Sequence, residues 1–162
     1  NKMGIGVYEL KRSNNNIVSI IEDITLSVSD YIQNNKINLI FDTNTEEVIT
    51  YCDPDKIERI MLNLLSNAIK YTNDDGLIEV KINANEDEVL VSVKDNGIGI
   101  SEDKLGIIFK PFFSTVEGKN GLGLFRAKEL VDMHKGTINV NSKIGEYTEF
   151  TISLPIIKDK KK

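Results

Sequence analysis

Two asparagines and a lysine recur at one-turn spacing in an otherwise apolar segment, NLLSNAIKYT, at residues 63–72. On a helix, Asn63, Asn67 and Lys70 fall in an arc of about 60° beside the apolar face. An amide oxygen is a neutral ligand suited to Mg²⁺ that is already bridged to phosphates. Lys70 and Tyr71 could then hold phosphate oxygens. If the Asn-x-x-x-Asn pattern stood alone, a solvated helix flank would be the simpler interpretation.

A second candidate segment is a predicted strand that ends in Asp95-Asn-Gly-Ile-Gly. Alternate valines precede Asp95 on the same face, so we predict a carboxylate at the inward end of the strand. A buried carboxylate is costly unless it meets a hydrogen-bond donor, and the amino group of adenine is such a donor. Gly97 and Gly99 permit positive φ and a close approach of a flat base to the backbone. An Asn-Gly hairpin turn is the alternative.

Two further segments contain glycine. In KNGLGL (119–124), Gly121 and Gly123 lead directly into a predicted helix, whose unpaired first amides favour an anion such as phosphate. Neither GxxxxGK[ST] nor GxGxxG occurs in the sequence. IFKPFFSTVEG (108–118) is interpreted as a mobile flap with aromatic anchors. Core packing is the alternative, above all for Phe109.

Hydrophobic periodicity predicts one α+β domain, with helices gathered on one face of a mostly antiparallel sheet. Helices are predicted over 16–34, 54–72, 101–109 and 121–134. Strands are predicted over 36–42, 47–53, 77–86, 88–95, 137–143 and 148–155, with a short strand or the end of a linker at 5–11. The strands at 36–42 and 47–53 flank a turn-rich NTEE and are predicted to pair as a hairpin. The candidates for helix N-caps are Asn14, Asn15, Asn16 and Asp53. Pro54 follows Asp53 at the first helical position.

Composition excludes several classes of protein. A net charge of −5 argues against a nucleic-acid-binding surface. The single cysteine, Cys52, cannot form an intrachain disulfide and is predicted to be a small buried hydrophobe. No stretch approaches the roughly 20 apolar residues of a membrane span. Because the chain does not open with methionine, we expect a fragment of a longer protein.

In their order along the chain, these segments resemble the ATP-binding catalytic domain of sensor histidine kinases. NLLSNAIKYT is similar to the N box, DNGIGI to the G1 box, IFKPFFS to the F box and GKNGLGL to the G2 box. The resemblance covers roughly residues 16–157 and implies a Bergerat fold of the GHKL superfamily. That fold is a two-layer α/β sandwich, with a mixed sheet of about five strands and three main helices on one face, which binds ATP and Mg²⁺. Residues 1–15 are then expected to be a linker or remnant of an upstream dimerisation region, and 158–162 a charged tail.

The resemblance also implies roles for individual residues. Asn67 would bind Mg²⁺, Asn63 would support the metal or the phosphates, and Asp95 would accept a hydrogen bond from the adenine amino group. The other nucleotide-binding positions that it implies are Lys70, Tyr71, Gly97, Gly99, Ile100, Phe109, Ser114, Thr115, Gly121, Leu122, Gly123, Leu124 and Thr148. Residues 110–118 would form a lid. Tyr147 stands where the family usually has a glycine, which leaves the placement of Thr148 open.

Asn63 bears on the reaction. The gyrase-type and chaperone ATPases of the superfamily carry a water-activating glutamate at this place, and an amide has no useful basicity. Glu58 lies about 140° round the helix and cannot substitute. We therefore expect ATP to persist until a histidine attacks the γ-phosphate. His134, the only histidine, sits at a helix end and is not expected to be that acceptor.

The implied partners lie outside the sequence. A dimerisation and phosphoacceptor domain of the same protein would supply the histidine, and a response regulator receiver domain would take the phosphoryl group onto an aspartate. We expect a homodimeric parent protein, anchored in a membrane by other segments, and a cytoplasmic location for this domain, without contact to membrane or nucleic acid. An ATPase clamp and a nucleotide-binding module without transfer activity are the alternatives, the second supported only by Tyr147.

Overall fold

The computed structural model describes residues 9–111 and 123–158. Its strands are β1 (Ser13–Asn16), β2 (Asn38–Thr43), β3 (Ile49–Cys52), β4 (Leu77–Ala84), β5 (Glu88–Asp95), β6 (Thr137–Lys143) and β7 (Tyr147–Pro155). Its helices are α1 (Ile17–Ser27), α2 (Ser29–Asn34), α3 (Pro54–Tyr71), α4 (Glu102–Leu105) and α5 (Gly123–Met133). Five strands form one mixed sheet in the order β2-β4-β5-β7-β6, and β1 pairs with β3 in a separate two-stranded sheet. Only the β2–β4 pair of the larger sheet is parallel.

The larger sheet buries one face and leaves the other partly exposed. Inward and outward residues alternate along β4, β5 and β7, as period-2 patterning requires. Helices α1, α3 and α5 cover the buried face, and α3 packs against both of the others and against β5. The inward apolar side chains of the sheet and of these helices form one core. The predicted α+β class, with three main helices on one face, is confirmed.

Helix α3 begins where the sequence predicts. The Asp53 carboxylate accepts hydrogen bonds from the backbone amides of Asp55 and Lys56, and Pro54 occupies the first turn. Seven residues of α3 are buried: Ile57, Ile60, Met61, Leu64, Leu65, Asn67 and Ala68. The N-cap and this apolar face together fix the direction of α3 across the sheet.

The predicted hairpin between 36–42 and 47–53 is wrong. Strand β2 pairs in parallel with β4, opposing Asn38 to Leu77, whereas β3 pairs with β1, opposing Cys52 to Ser13. Alternation of apolar residues specifies the face that a strand buries but not its partner, and both true partners lie more than 30 residues away. The helix predicted over 16–34 is also interrupted at Val28, so that α1 and α2 are separate. Asn16 does cap α1, by accepting a hydrogen bond from the amide of Val18.

Segments from both ends of the described chain pack around the start of α3. The amide of Lys11 donates to Asp53 Oδ2 at 2.8 Å, and the amide of Tyr51 donates to the carbonyl of Ile157 at 2.8 Å. Cys52 is buried as predicted, and burial raises the pKa of its thiol to about 11. Across the described ranges, no helix has the length and apolar character needed to cross a membrane.

Candidate functional site

The amide stripe of α3 lies beside the core. Asn67 is buried, with 8% of its surface exposed, and Asn63 is half-buried. Neither side-chain amide makes a hydrogen bond within the part of the chain that the structure describes. Lys70 is exposed, with its Nζ 5.6 Å from the centroid of the Tyr71 ring. The burial of Asn67 shows that the solvated-flank interpretation is wrong for this residue.

On three neighbouring strands, the outermost inward-facing residue at one edge of the sheet has a polar side chain. Asp95 on β5 opposes Thr148 on β7, which in turn opposes Ser142 on β6. Asp95 and Thr148 are 2% and 3% exposed. Directly opposed residues on one face of an antiparallel pair are close neighbours, so the three groups form a row across the sheet. The predicted inward carboxylate at residue 95 is confirmed.

Burial and one local hydrogen bond determine the electrostatics of Asp95. Burial raises the pKa of its carboxyl group to about 6, although the amide of Gly97, which donates to Oδ1 at 2.9 Å, favours the ionised form. The carboxylate is therefore charged at neutral pH. No hydrogen bond to Oδ2 occurs within residues 9–111 and 123–158, so this oxygen can accept one from a ligand.

The loop that follows Asp95 is held from two sides. The Tyr71 carbonyl at the end of α3 accepts a hydrogen bond from Ile98, and a Cβ on Gly97 would overlap that carbonyl. On the other side, the amide of Gly145 donates to the carbonyl of Ile98 at 2.7 Å. The loop is thus fixed between the end of α3 and the β6–β7 turn. It continues to α4, so the hairpin-turn alternative is wrong.

The two glycines of this loop are needed for different reasons. Gly99 adopts a φ of +75°, and a Cβ there would overlap the carbonyl of Lys143. Gly97 does not have a positive φ, contrary to the expectation, and is required only for its close contact with α3. Both glycines bring backbone into contact with backbone at the edge of the site.

Ser142 adjoins the candidate site and was not predicted from the sequence. Its Oγ accepts a hydrogen bond from the Ile100 amide at 2.7 Å, donates to the Tyr147 carbonyl at 2.8 Å and lies 3.0 Å from Thr148 Oγ1. A signal was present, because Ile138, Val140 and Ser142 alternate on β6 as the valines and Asp95 do on β5. Ile100, predicted to line the base pocket, is buried beside it.

Tyr147 does not displace Thr148. Its side chain lies on the outer face of the sheet, where the Lys94 Nζ is 5.0 Å from the ring centroid. Gly145, with a φ of +78°, supplies the positive φ of the turn. Thr148 keeps its inward position and its register with Asp95. With Tyr147 on the outer face, Thr148 occupies the inward row opposite Asp95.

The remaining predicted residues are only partly described. The Phe109 ring packs edge-on against Phe150 with centroids 6.0 Å apart, as the core alternative expects, and its nucleotide-binding role stays a prediction. Gly123 is exposed at the first turn of α5, and Leu124 packs against the core. Phe112, Phe113, Ser114, Thr115, Gly121 and Leu122 lie outside the described residues, as do most of the predicted lid and residues 159–162.

His134 has both ring nitrogens engaged inside the protein. Nε2 accepts a hydrogen bond from the Asp53 amide at 3.2 Å, so Nδ1 carries the proton and donates to the Leu130 carbonyl at 3.0 Å. The residue is buried, and burial lowers the pKa of its imidazole. This histidine joins the start of α3 to the end of α5 and has no free lone pair for nucleophilic attack.

Two other features lie apart from the site. A cavity of about 270 Å³ lies against a different flank of α3, lined by Val28, Tyr31, Leu62, Leu65, Ser66, Ile69 and Lys70. Of these residues, only Lys70 belongs to the predicted site, so the cavity is separate from the row of Asp95, Thr148 and Ser142. In the described part of the chain, no group of three or more His, Cys, Asp or Glu side chains could hold a metal ion.

Comparison with known proteins agrees with this geometry. Residues 52–158 match the family described as histidine kinase-, DNA gyrase B-, and HSP90-like ATPase. Sporulation kinase E of Bacillus subtilis (strain 168) is 45% identical over 84 residues, which cover 51% of this chain and 11% of that protein. The chain spans between 11% and 18% of the length of the curated relatives that it matches.

Solved structures of histidine kinases match over nearly the whole chain. The catalytic domain of histidine kinase ThkA superposes with a TM-score of 0.83 and 27% identity, covering 91% of this chain and 97% of that chain. A complex of ThkA with the response regulator protein TrrA matches with a TM-score of 0.80 and 26% identity, covering 94% of this chain and 44% of that chain.

Proposed function

The chain belongs to the histidine kinase-, DNA gyrase B- and HSP90-like ATPase family, as a catalytic domain of the sensor histidine kinase type that uses ATP, and we propose that it binds Mg·ATP between α3 and the polar edge of the sheet. In this proposal the bound γ-phosphate is transferred to a histidine on another domain. The buried Asp95 carboxyl group at that edge, whose Oδ2 accepts no hydrogen bond among the described residues, is the observation that carries the proposal.

Asp95 and its neighbours are proposed to select the base. An ionised carboxylate with a free oxygen is a strong acceptor for the amino group of adenine. Thr148 opposes Asp95 across the β5–β7 pair, and Gly97, Gly99 and Ile100 keep the adjoining backbone close. The adenine amino group would then replace water at an otherwise costly buried charge.

The α3 stripe is proposed to hold the triphosphate and its metal. Asn67 supports this because the residue is largely buried beside the core while its side-chain amide makes no hydrogen bond among the described residues and can therefore engage a ligand. Asn67, with Asn63 one turn before it, would supply amide oxygens to Mg²⁺, and Lys70 with Tyr71 would meet the phosphates. When bound, Mg²⁺ neutralises phosphate charge. Gly123 at the start of α5, with Gly121, Leu122 and Leu124 around it, would contact the phosphate chain through backbone amides.

The same residues are proposed to leave ATP unhydrolysed. Asn63 has no useful basicity, and Glu58 lies on the exposed surface of α3. A neutral imidazole needs only alignment and charge neutralisation to attack the γ-phosphate. His134 cannot be that acceptor because both of its nitrogens are engaged. The acceptor histidine is therefore proposed to lie on a dimerisation and phosphoacceptor domain.

The activity of the whole protein extends this proposal. We infer that the parent is a homodimeric, membrane-anchored sensor kinase with this domain in the cytoplasm. We also infer that a receiver domain takes the phosphoryl group, since the related ThkA forms a complex with a response regulator. Residues before Asn16 would connect the domain to its phosphoacceptor region, and Ser114, Thr115 and Phe109 would act with the lid. No specific observation favours an ATPase clamp or a module without transfer activity.

Titration of Mg·ATP into the wild-type chain and the Asp95→Asn variant tests the proposal. We expect Asp95→Asn to weaken binding about tenfold to hundredfold, because a charged hydrogen bond contributes about 1.5–3 kcal/mol. Isothermal titration calorimetry, run with Mg²⁺ and again with a chelator, measures the loss. Because Asp95 contacts the base, the factor should be the same in both conditions.

Asp42→Asn is the matched control for that titration, since it makes the same chemical change at an exposed position of β2 in the same sheet. Its affinity should equal that of the wild type. Equal affinity of the Asp95→Asn variant and the wild type would reject the base assignment, and absence of ATP binding by the wild type would reject the proposed function.

A further inference from the structure

We propose that Ser142 is a positioning residue that fixes the hydroxyl of Thr148 as a hydrogen-bond acceptor toward the nucleotide base, so that the site prefers a base with an amino group. The inference rests on the proposed binding of ATP at Asp95 and Thr148. It adds a residue and a mechanism of base selection to that site.

The direction of the hydrogen bond between the two hydroxyls follows from counting protons. Ser142 Oγ has one proton and two acceptor positions. The Tyr147 carbonyl, 2.8 Å away, can only accept and therefore takes that proton, whereas the Ile100 amide, 2.7 Å away, can only donate. The third contact, with Thr148 Oγ1 at 3.0 Å, must then be donated by Thr148.

This arrangement determines what Thr148 can offer a ligand. Its single proton is used on Ser142, so Oγ1 presents lone pairs only. Asp95, which opposes Thr148 in the sheet, is an acceptor as well, with Oδ1 already engaged by Gly97. Two neighbouring acceptors match the two N–H groups of an exocyclic amine. They repel a carbonyl oxygen, which guanine carries at the position of the adenine amine.

Ser142 acts through Thr148 and not by touching the ligand, because its three hydrogen-bonding positions are all used inside the protein. If Ser142 lacked its hydroxyl group, the Thr148 hydroxyl would be free to rotate and to donate a hydrogen bond into the site. The Ile100 amide and the Tyr147 carbonyl would also lose a partner. The acceptor pair would then be less well defined, and the preference for an amine would fall.

The test compares Mg·ATP and Mg·GTP affinities in the wild type and Ser142→Ala, both measured by displacement of a bound fluorescent ADP analogue. We expect Ser142→Ala to weaken ATP binding about threefold to tenfold, the range for a lost neutral hydrogen bond. GTP binding should change less than twofold, so the preference for ATP falls. Ser142→Thr, which keeps a hydroxyl, should restore the wild-type preference.

Ser153→Ala is the matched control, because Ser153 donates a similar hydrogen bond to Glu88 Oε1 at 2.6 Å on the outer face of the sheet. It should leave both affinities unchanged. Combining Ser142→Ala with Thr148→Val should weaken ATP binding by less than the product of the two single losses, since both changes disturb one interaction. Thermal unfolding without nucleotide identifies variants that are not folded, and Ser142→Cys then replaces Ser142→Ala with the same expectation.

An unchanged ratio of ATP to GTP affinity in a folded Ser142 variant, or fully multiplicative losses in the double variant, would overturn the inference. Either result, with normal ATP binding by the wild type, leaves the proposed function standing. Failure of the wild type to bind Mg·ATP overturns both.

Discussion

At the scale of single residues, the buried Asp95 carboxylate lowers the stability of the nucleotide-free chain, although it is proposed to favour nucleotide binding. Its pKa is raised to about 6 in the folded chain from an ordinary value of 3.8, so the folded state binds this proton more tightly than the unfolded state. Between these two values, the free energy of unfolding therefore decreases as the pH rises. Above pH 6 the ionised carboxylate costs a constant amount, on the order of 1–3 kcal/mol at 1.36 kcal/mol per pKa unit.

We expect Asp95→Asn to stabilise the nucleotide-free chain by about 1–3 kcal/mol at pH 7.5, and by clearly less at pH 5.0, where the wild-type carboxyl group is largely protonated. Urea unfolding at both pH values measures the difference. Asp42→Asn, on the exposed face of β2, should show no such dependence on pH. A variant that is less stable than the wild type at pH 7.5 would contradict the burial argument.

Residues of the site differ in how well the sequence predicts them. Asp95 was predictable because a carboxylate ends an inward row of valines and adjoins a glycine pair. Thr148 required the resemblance, and Ser142 was missed because serine at a strand end is also common without any function. Its role depends on a neighbour on β7 and a loop amide more than 40 positions earlier, and local pattern does not specify such contacts.

At the scale of elements, His134 links α3 and α5, the helices on which several predicted site residues lie. It accepts from Asp53 at the start of α3 and donates to Leu130 near the end of α5. Burial lowers the pKa of the imidazole, and the neighbouring Arg12 lowers it further, whereas Asp53 raises it. The folded state thus binds this proton less readily than the unfolded state, and His134 costs stability as the pH falls below about 6.5.

We expect His134→Gln to reduce the free energy of unfolding by about 1–2 kcal/mol at pH 7.5, because a buried hydrogen-bonded pair is disturbed. The difference from the parent chain should shrink at pH 5.0, because the pKa of the imidazole is lowered in the folded state and the unfolded parent chain therefore binds the proton more readily. Both the parent chain and the His134→Gln variant should carry Asp95→Asn. Ionisation of Asp95 lowers the free energy of unfolding as the pH rises, which is opposite in sign to the effect of His134 and falls in an overlapping pH range. A difference between the two chains that grows on acidification would contradict the lowered pKa of the His134 imidazole in the folded state.

Elements were predicted better than their pairing. Local signals, such as Asp53-Pro54 at the start of α3 or the alternation in β4 and β5, gave types and approximate bounds. The β2–β3 hairpin failed because a turn-rich tetrapeptide is compatible with a change of sheet. Strand β2 pairs with β4 and β3 pairs with β1, each from more than 30 residues away in the sequence, so the pairing is a property of the assembled domain.

At the scale of the whole molecule, the end of α3, the loop after β5 and the β6–β7 turn meet at one edge of the sheet. The loop after β5 contacts the end of α3 and the β6–β7 turn, and α5 packs along α3. The order of motifs in the sequence predicted this convergence only through the resemblance. Since each contact is between backbone groups or buried side chains, the edge proposed to bind the base is held by contacts within the protein, which would reduce the ordering cost of binding.

The chemistry proposed for this assembled site predicts little phosphate release by the chain alone. Water has no base at Asn63, so wild-type turnover of Mg·ATP should be slow. Asn63→Glu places a carboxylate one turn before Asn67 and should raise steady phosphate release about tenfold or more, if it is aligned with water as a general base is. A coupled phosphate assay on both chains, with Asn63→Gln as the neutral control of similar size, measures the change. Brisk release by the wild type, equal to that of the Asn63→Glu variant, would show that position 63 does not protect ATP and would favour a hydrolase over a kinase domain.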